Sequence, residues 1–203
     1  MNDKVKEREK IMGKKDDLVT IRTLNETDLE VVWHLRFKAS DQTYRKWNAP
    51  YFHEHEIPLA QFKRRYLQDE SLPPKLLGIV IDGEVKGTVS YYWENERTRW
   101  LECGIIIYDS RFWNGGYGTK ALSLWIDQLF SQIDIPRIGL TTWSGNKRMM
   151  RCAEKCGFTL EGRLRKVRYY QGEYYDAMRY GMLREEWQSL LHHNSSESSL
   201  FTC

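Results

Sequence analysis

The sequence predicts one α/β domain, a mixed, mostly antiparallel twisted sheet with helices on both faces. Three observations carry this. Apolar patterning switches between strand and helix periods in the order strand, two helices, three strands, helix, strand, helix, two or three strands. Asp82-Gly83 between two apolar runs is a strong hairpin signal, and Gln171-Gly172 lies between two further strand-like runs. A chain of 203 residues, 41% hydrophobic and 29% charged, has the size and composition of a single globular unit.

Residues 1–17 are charged and aperiodic and are expected to form a flexible arm without a secretory segment. The domain is expected over 18–190. Leu18 to Leu24 reads as the first strand. Asn25 or Thr27 can cap a helix whose apolar positions Leu29, Val32, Trp33 and Phe37 recur at helical spacing. Trp47 to Ile57 is a loop rich in aromatics and histidines, and Pro58 can start a helix reaching Leu67. Leu76–Ile81 and Val85–Trp93 form the hairpin, and Trp100–Tyr108 is the fourth strand. Leu122, Trp125, Ile126, Leu129 and Phe130 share one helix face. Arg137–Trp143 is a strand, and Asn146–Cys156 a helix that Gly157 can close as a left-handed cap. Phe158–Leu164 is a strand, and two more are expected around Gln171-Gly172, ending near Leu183. The Ser-rich stretch over 191–203 is expected to be a flexible tail.

A net charge of +3 is too small to argue for nucleic acid, and no apolar run has membrane-spanning length. Cys103, Cys152 and Cys156 lie in apolar or helical contexts, which favours reduced thiols and a cytoplasmic location over a disulfide framework. Cys152 and Cys156 are four residues apart but lack further ligands, so no metal is expected.

The stretch with most chemical content follows Ile105-Ile106-Ile107. Asp109-Ser110-Arg111-Phe112-Trp113-Asn114-Gly115-Gly116-Tyr117-Gly118-Thr119 runs straight into the helix bearing Leu122. A strand, a glycine-rich turn and a helix start make an anion site, because backbone approaches the ligand closely and first-turn N–H groups point at it. A mononucleotide P-loop is excluded, since Gly118-Thr119-Lys120 reverses the required Lys-Thr order. Gly116, Gly118 and Ala121 match a dinucleotide fingerprint loosely, but the turn lies mid-chain and no acidic residue ends the next strand. For the turn alone, a connection without a ligand is also a reasonable reading.

Trp113-Asn114-Gly115-Gly116-Tyr117-Gly118-Thr119-Lys120-Ala121 resembles the acetyl-CoA pyrophosphate loop of the GNAT superfamily, most of all the branch holding the ribosomal-protein N-terminal acetyltransferases. Asn146, Glu154-Lys155-Cys156-Gly157-Phe158 and Leu160-Glu161-Gly162 resemble that branch's second motif. Tyr174-Tyr175-Asp176 and Met182 to Trp187 resemble its C-terminal end, and Glu102-Cys103-Gly104 its central strand. The likeness implies a V-shaped cleft between central strands, with acetyl-CoA as cosubstrate. Its pantetheine arm would pair with Ile105, Ile106 and Ile107, and its pyrophosphate would lie on amides of Asn114 to Thr119. Trp113, Asn146 and Lys155 complete the implied contacts. The resemblance also implies that late strands can pair in a homodimer. Three positions depart from the pattern. Trp113 stands where Gln or Arg is frequent, Ala153 where many members place an acidic Tyr, and Met149 where some place a Ser.

Acetyl transfer to an amine needs a deprotonated nitrogen, a polarised thioester carbonyl and a leaving thiolate. Glu102 is the candidate base, and an N–H near Ile106 the carbonyl donor. Tyr169, Tyr170 and Ser144 are candidate acids. Cys103 is a tempting nucleophile, but neighbours on a strand face opposite sides, so Cys103 and Glu102 cannot both address the cleft. Trp47, Tyr51, Phe52, Tyr91, Tyr92, Trp93 and Trp143 are candidates for an aromatic pocket that takes a peptide N-terminus or a small amine. Arg163, Arg165, Lys166 and Arg168 form either a solvated face or a phosphate or acidic-acceptor site. The reading is an acetyl-CoA-dependent N-acetyltransferase that acts in a ternary complex. The alternative is a non-catalytic acyl-CoA-binding module, suggested by the missing acid.

Overall fold

The computed structural model describes residues 19–199. Among these residues, seven strands form one sheet in the order β1-β2-β3-β4-β5-β7-β6. They are β1 (Val19–Arg22), β2 (Leu76–Ile81), β3 (Glu84–Asn95), β4 (Trp100–Ile107), β5 (Arg137–Trp143), β6 (Thr159–Tyr170) and β7 (Glu173–Leu183). Every pairing is antiparallel except β4 with β5. Five α-helices accompany them: α1 (Glu26–Phe37), α2 (Leu59–Leu67), α3 (Tyr117–Gln132), α4 (Lys147–Lys155) and α5 (Arg184–Ser199).

Local chemistry explains the element ends. Asn25 caps α1 by accepting the Asp28 N–H at 2.8 Å, and Asp28 returns a bond to the Asn25 N–H at 3.0 Å, a reciprocal box. Asp82 and Gly83 both adopt positive φ in the turn between β2 and β3. Gly157 closes α4 at φ +91°, where the sequence placed a left-handed cap.

Two apolar clusters sit on opposite faces of the sheet. The larger packs Ala121, Leu122, Trp125, Ile126, Leu129 and Phe130 of α3 against β2–β5 and β7. At roughly 1.5–3 kcal/mol per large buried side chain, this face anchors the domain. The smaller joins Leu29 and Val32 of α1, Phe62 of α2, Tyr44 and Tyr108. Past β7, Arg184 donates to the carbonyls of Phe130, Ile133 and Ile135 at 2.8, 2.7 and 2.9 Å, closing the end of α3.

Two elements differ from expectation. Phe158–Leu164 and the next expected strand are one strand, β6. It carries a bulge between Leu164 and Arg168, with Lys166 at φ +56°. The buried Asp176 carboxylate accepts the Lys166 N–H at 2.8 Å and holds the bulge, a long-range contact that sequence spacing does not announce. The last helix continues to Ser199, so the segment expected as a flexible tail is helical from 191 to 199. The rest of that tail, and the arm expected over 1–17, lie outside the described residues. Among the described residues, no helix is long and apolar enough to cross a membrane.

Candidate active site

The parallel pairing of β4 and β5 is short. Only Leu101–Ile138 and Glu102–Gly139 are in register, after which the strands part. The split opens a V whose cavity, about 390 Å³, is lined by Ile105, Ile106, Ile107, Trp113, Gly116, Gly118, Thr119, Asn146 and Lys155 among others. The implied cleft is therefore present, and ten of the twelve expected cofactor residues, Asn114 among them, line it.

Hydrogen-bond alternation decides which backbone groups face the opening. Tyr108 N–H donates to Lys86 O at 3.0 Å, so Tyr108 and Lys86 form a bonded pair across β3 and β4. Antiparallel pairs alternate, so Ile106 also spends its backbone groups on β3, while Ile105 and Ile107 turn theirs toward the cleft. The expected carbonyl donor near Ile106 thus shifts to its neighbours. Ile107 O already accepts the Trp113 indole N–H at 3.0 Å. That bond gives Trp113 its role, pinning the glycine turn against the strand.

The turn is built for close approach. Asn114 and Gly116 adopt φ +60° and +86°, and Gly116 caps α3 from the left-handed region. The first in-helix bond runs from Lys120 N–H to Gly116 O at 3.0 Å, so the Gly118 and Thr119 amides precede the helical ladder. A Cβ on Gly118 would meet nothing nearer than Ile107 Cδ1 at 3.8 Å. Protein packing does not demand a glycine there, but a ligand lying against the turn would. A Cβ on Gly115 would collide with the Tyr117 ring at 2.5 Å. Gly115 and Tyr117 shape the turn without lining the cavity. Arg111 is paired with Asp109 and points to solvent.

Asn146 stands at the far wall. Its Oδ1 accepts the Met149 N–H at 3.1 Å as the cap of α4, and its Nδ2 donates to Trp47 O at 3.0 Å. The same carbonyl accepts the Trp143 indole N–H at 2.8 Å, which ties the loop before α2 to β5. Arg148, Arg151 and Lys155 share one face of α4 and line the cavity. Sequence reasoning took Lys155 but missed the two arginines, although their spacing was legible. It also missed Tyr44 and Cys152. Cys152 Sγ lies 3.8 Å from Thr119 Oγ1. Hydrogen bonding from the Cys156 thiol and from Thr119 holds the Cys152 thiol below its ordinary value, while Cys156 is pushed up.

The other candidates fall elsewhere. Glu102 is 1% exposed and does not line the cavity. Its carboxylate accepts from Thr141 Oγ1 at 2.8 Å and Trp100 Nε1 at 3.2 Å, with Arg137 at 3.8 Å. Gly139 makes this possible, since a Cβ there would lie 2.1 Å from Glu102 Oε1. Ser144 Oγ accepts the Asp176 N–H at 3.0 Å and extends the β5–β7 ladder. Tyr169 is 59% exposed and packs on Tyr174 near the β6–β7 turn. Cys103 is buried in the large cluster, on the face opposite Glu102, and burial pushes its thiol up. The expected aromatic pocket divides. Trp47 lines the cleft, Tyr51 packs on Phe52 and on Trp143, and Tyr91 joins Trp93 and Trp125 in the core.

Residues 19–159 match the family model described as the acetyltransferase (GNAT) domain. The chain belongs to the GNAT acetyltransferase family. Its cosubstrate is acetyl-CoA, and the glycine turn, the open β4 edge and the basic face of α4 fit that molecule. The chain is 26% identical to YdaF of Bacillus subtilis, provisionally named a ribosomal N-acetyltransferase, over 86% of this chain and 96% of that protein. It is 27% identical to the spermidine N(1)-acetyltransferase of Escherichia coli K12 over 83% of this chain and 88% of that protein. The fold matches the Vibrio cholerae spermidine N-acetyltransferase solved with CoA and spermine, with TM-score 0.68, 20% identity, and coverage of 85% of this chain and 99% of that one. It also matches RimL, a ribosomal L7/L12 α-N-protein acetyltransferase solved with CoA, with TM-score 0.63, 17% identity, and coverage of 82% and 94%.

Proposed function

We propose that this GNAT acetyltransferase moves an acetyl group directly from acetyl-CoA to a primary amine bound beside Asn146 and Trp47. The single observation behind this reading is the cleft itself. It brings an open strand edge, an anion-binding turn and a side wall from the Trp47 loop into one cavity.

When bound, acetyl-CoA supplies a thioester carbon. The amine nitrogen forms the new C–N bond as the C–S bond breaks, and the CoA sulfur leaves as thiolate and takes up the proton that the nitrogen gives up. The residues prepare this step. Ile105 and Ile107 offer backbone groups to the pantetheine amides and to the thioester carbonyl. The amides of Gly118 and Thr119, with Arg151 and Lys155 of α4, take the phosphates. Asn146, fixed at both ends of its amide, orders the wall nearest the acceptor.

Acid and base follow from the same geometry. Among the described residues no Asp or Glu lines the cavity, so the amine proton leaves through water rather than directly to a side chain. Tyr44 lines the cavity, but its hydroxyl donates to Arg36 O at 2.8 Å and is spent. A thiolate leaves readily near neutral pH without a strong acid, because a thiol pKa is about 8.5. Cys103 is buried, and the cleft thiol, Cys152, lies against Thr119 at the phosphate turn rather than beside Asn146 and Trp47, so transfer in a ternary complex is favoured over an acetyl-enzyme.

The test is a two-substrate kinetic grid with thiol-release detection, preceded by a calorimetric titration of CoA. Intersecting initial-rate lines support direct transfer. Parallel lines would show a covalent intermediate, and an absence of CoA binding at millimolar concentration would end the reading.

A further inference from the structure

The charges around the acceptor end are lopsided. Beyond the cleft lies a second cavity of about 440 Å³, lined by Arg45, Lys46, Asn48, Phe52, Glu54 and Tyr170 among others. Asn48 lines both cavities. The carboxylate in this pair, Glu54, is already committed to Arg36 and to Arg45, the latter at 3.4 Å. Arg45 is committed too, donating to Gln42 Oε1 and Arg36 O, each at 2.7 Å.

Two cations are not committed. Lys46 has no ion pair or hydrogen bond among the described residues. Arg148 has its guanidinium carbon 4.8 Å from the Trp47 ring centre and 4.6 Å from that of Trp113, with no hydrogen bond or ion pair among the described residues. Aromatic contact holds a guanidinium by its face and leaves its in-plane N–H groups for another partner. These donors sit where the acceptor loop, carrying Trp47, meets the cofactor turn, carrying Trp113. On the flank, Arg168 lies over Tyr51 and Phe52, and its Nε is buried without a partner.

Given the transfer reaction proposed above, we infer that the acceptor is a primary amine with a carboxylate close to it, read by Arg148 and Lys46, and not a polyamine. A polyamine needs uncommitted carboxylates along its length, and this end of the cleft offers uncommitted cations instead. A planar guanidinium matches a carboxylate in two parallel bonds. An acidic peptide N-terminus and a free amino acid share this chemistry.

The experiment compares kcat/KM at saturating acetyl-CoA for five acceptors. Two are amidated peptides, identical except that acidic residues follow the N-terminus in one and basic residues in the other. The others are free aspartate, spermidine and benzylamine. The acidic peptide, aspartate or both should exceed the basic peptide and spermidine by about tenfold or more, the scale of one charge-assisted hydrogen bond. Which of the two leads identifies the source. In Arg148→Ala the preference should shrink to about threefold or less, and Arg148→Lys should restore part of it. Lys46→Glu should turn the preference toward the basic peptide.

Equal or better use of spermidine or of the basic peptide overturns the inference. So does an Arg148→Ala variant that loses the same factor on every acceptor and on CoA affinity, because Arg148 would then serve the phosphates. Benzylamine isolates the reaction from the charge preference. If no amine releases thiol, the acidic peptide is titrated calorimetrically into the protein–CoA complex. Binding lost in Arg148→Ala upholds the carboxylate site while refuting the transfer reading, and no binding refutes the site.

Discussion

Replacing Gly118 by alanine should move stability and cofactor affinity in opposite directions. Gly118 is the second residue of α3, and its backbone lies outside the left-handed region. The new methyl group would touch Ile107 Cδ1 at 3.8 Å and Cys152 Sγ at 4.0 Å, both ordinary contacts. Alanine in a helix is favoured over glycine by about 0.5–1 kcal/mol, so the unliganded variant should melt no lower than the parent. The methyl group nevertheless lies at the cavity wall, where a phosphate would approach the turn. Losing one hydrogen bond to a charged group costs about 1.5–3 kcal/mol, or roughly 10–150-fold in Kd. Thermal melts without ligand and calorimetry with CoA measure both halves. A destabilised variant would mean that the helix start is packed more tightly than these distances allow. Unchanged CoA affinity would mean that the phosphates do not lie on this turn, and the cofactor placement would be wrong.

Three further outcomes follow from the same geometry. Cys152 should be the described cysteine that iodoacetamide modifies first, since it lines the cleft with a lowered thiol pKa while Cys103 and Cys156 are raised. CoA should protect it, and peptide mapping that finds Cys103 or Cys156 first would refute this. Glu102→Ala should cost about 2–3 kcal/mol in chemical denaturation, because Thr141 and Arg137 lose a buried partner, whereas Glu102→Gln, keeping the Thr141 bond, should lose less. If Glu102→Gln instead preserves stability and lowers kcat/KM only below neutral pH, Glu102 is a base after all. Asp41 accepts the N–H groups of Thr43 and Ser110, each at 3.0 Å, and these bonds hold its carboxyl well below the usual range. Its contribution to stability is present above the unfolded pKa of about 3.9 and disappears as pH falls toward the depressed folded value. Asp41→Asn should flatten the acid limb of the stability curve and cost about 1 kcal/mol at neutral pH. An acid limb identical to the parent's would exclude this carboxylate.

What the sequence determined by itself is local in origin. Helix faces such as Leu122 to Phe130 were legible because a period of 3.6 forces one stripe to be buried. The cap at Asn25, the turn at Asp82-Gly83 and the glycine-rich helix start at Gly115 to Thr119 were legible because backbone conformations and orphan amides need those residue types. Tertiary structure decided what depends on two distant segments meeting. Strand alternation separates Cys103 from Glu102, but only the closeness of β5, with Thr141 and Gly139, turns Glu102 into a buried structural partner instead of a cleft residue. Only the β3 pairing shows that Ile105 and Ile107, rather than Ile106, face the opening. Arg148 was readable as a charge on a helix, yet its place between Trp47 and Trp113 joins residues from three parts of the chain. The bulge in β6 likewise rests on Asp176 from the neighbouring strand. Local periodicity and turn chemistry carry no term for such contacts, because burial and electrostatics depend on distance in space rather than along the chain.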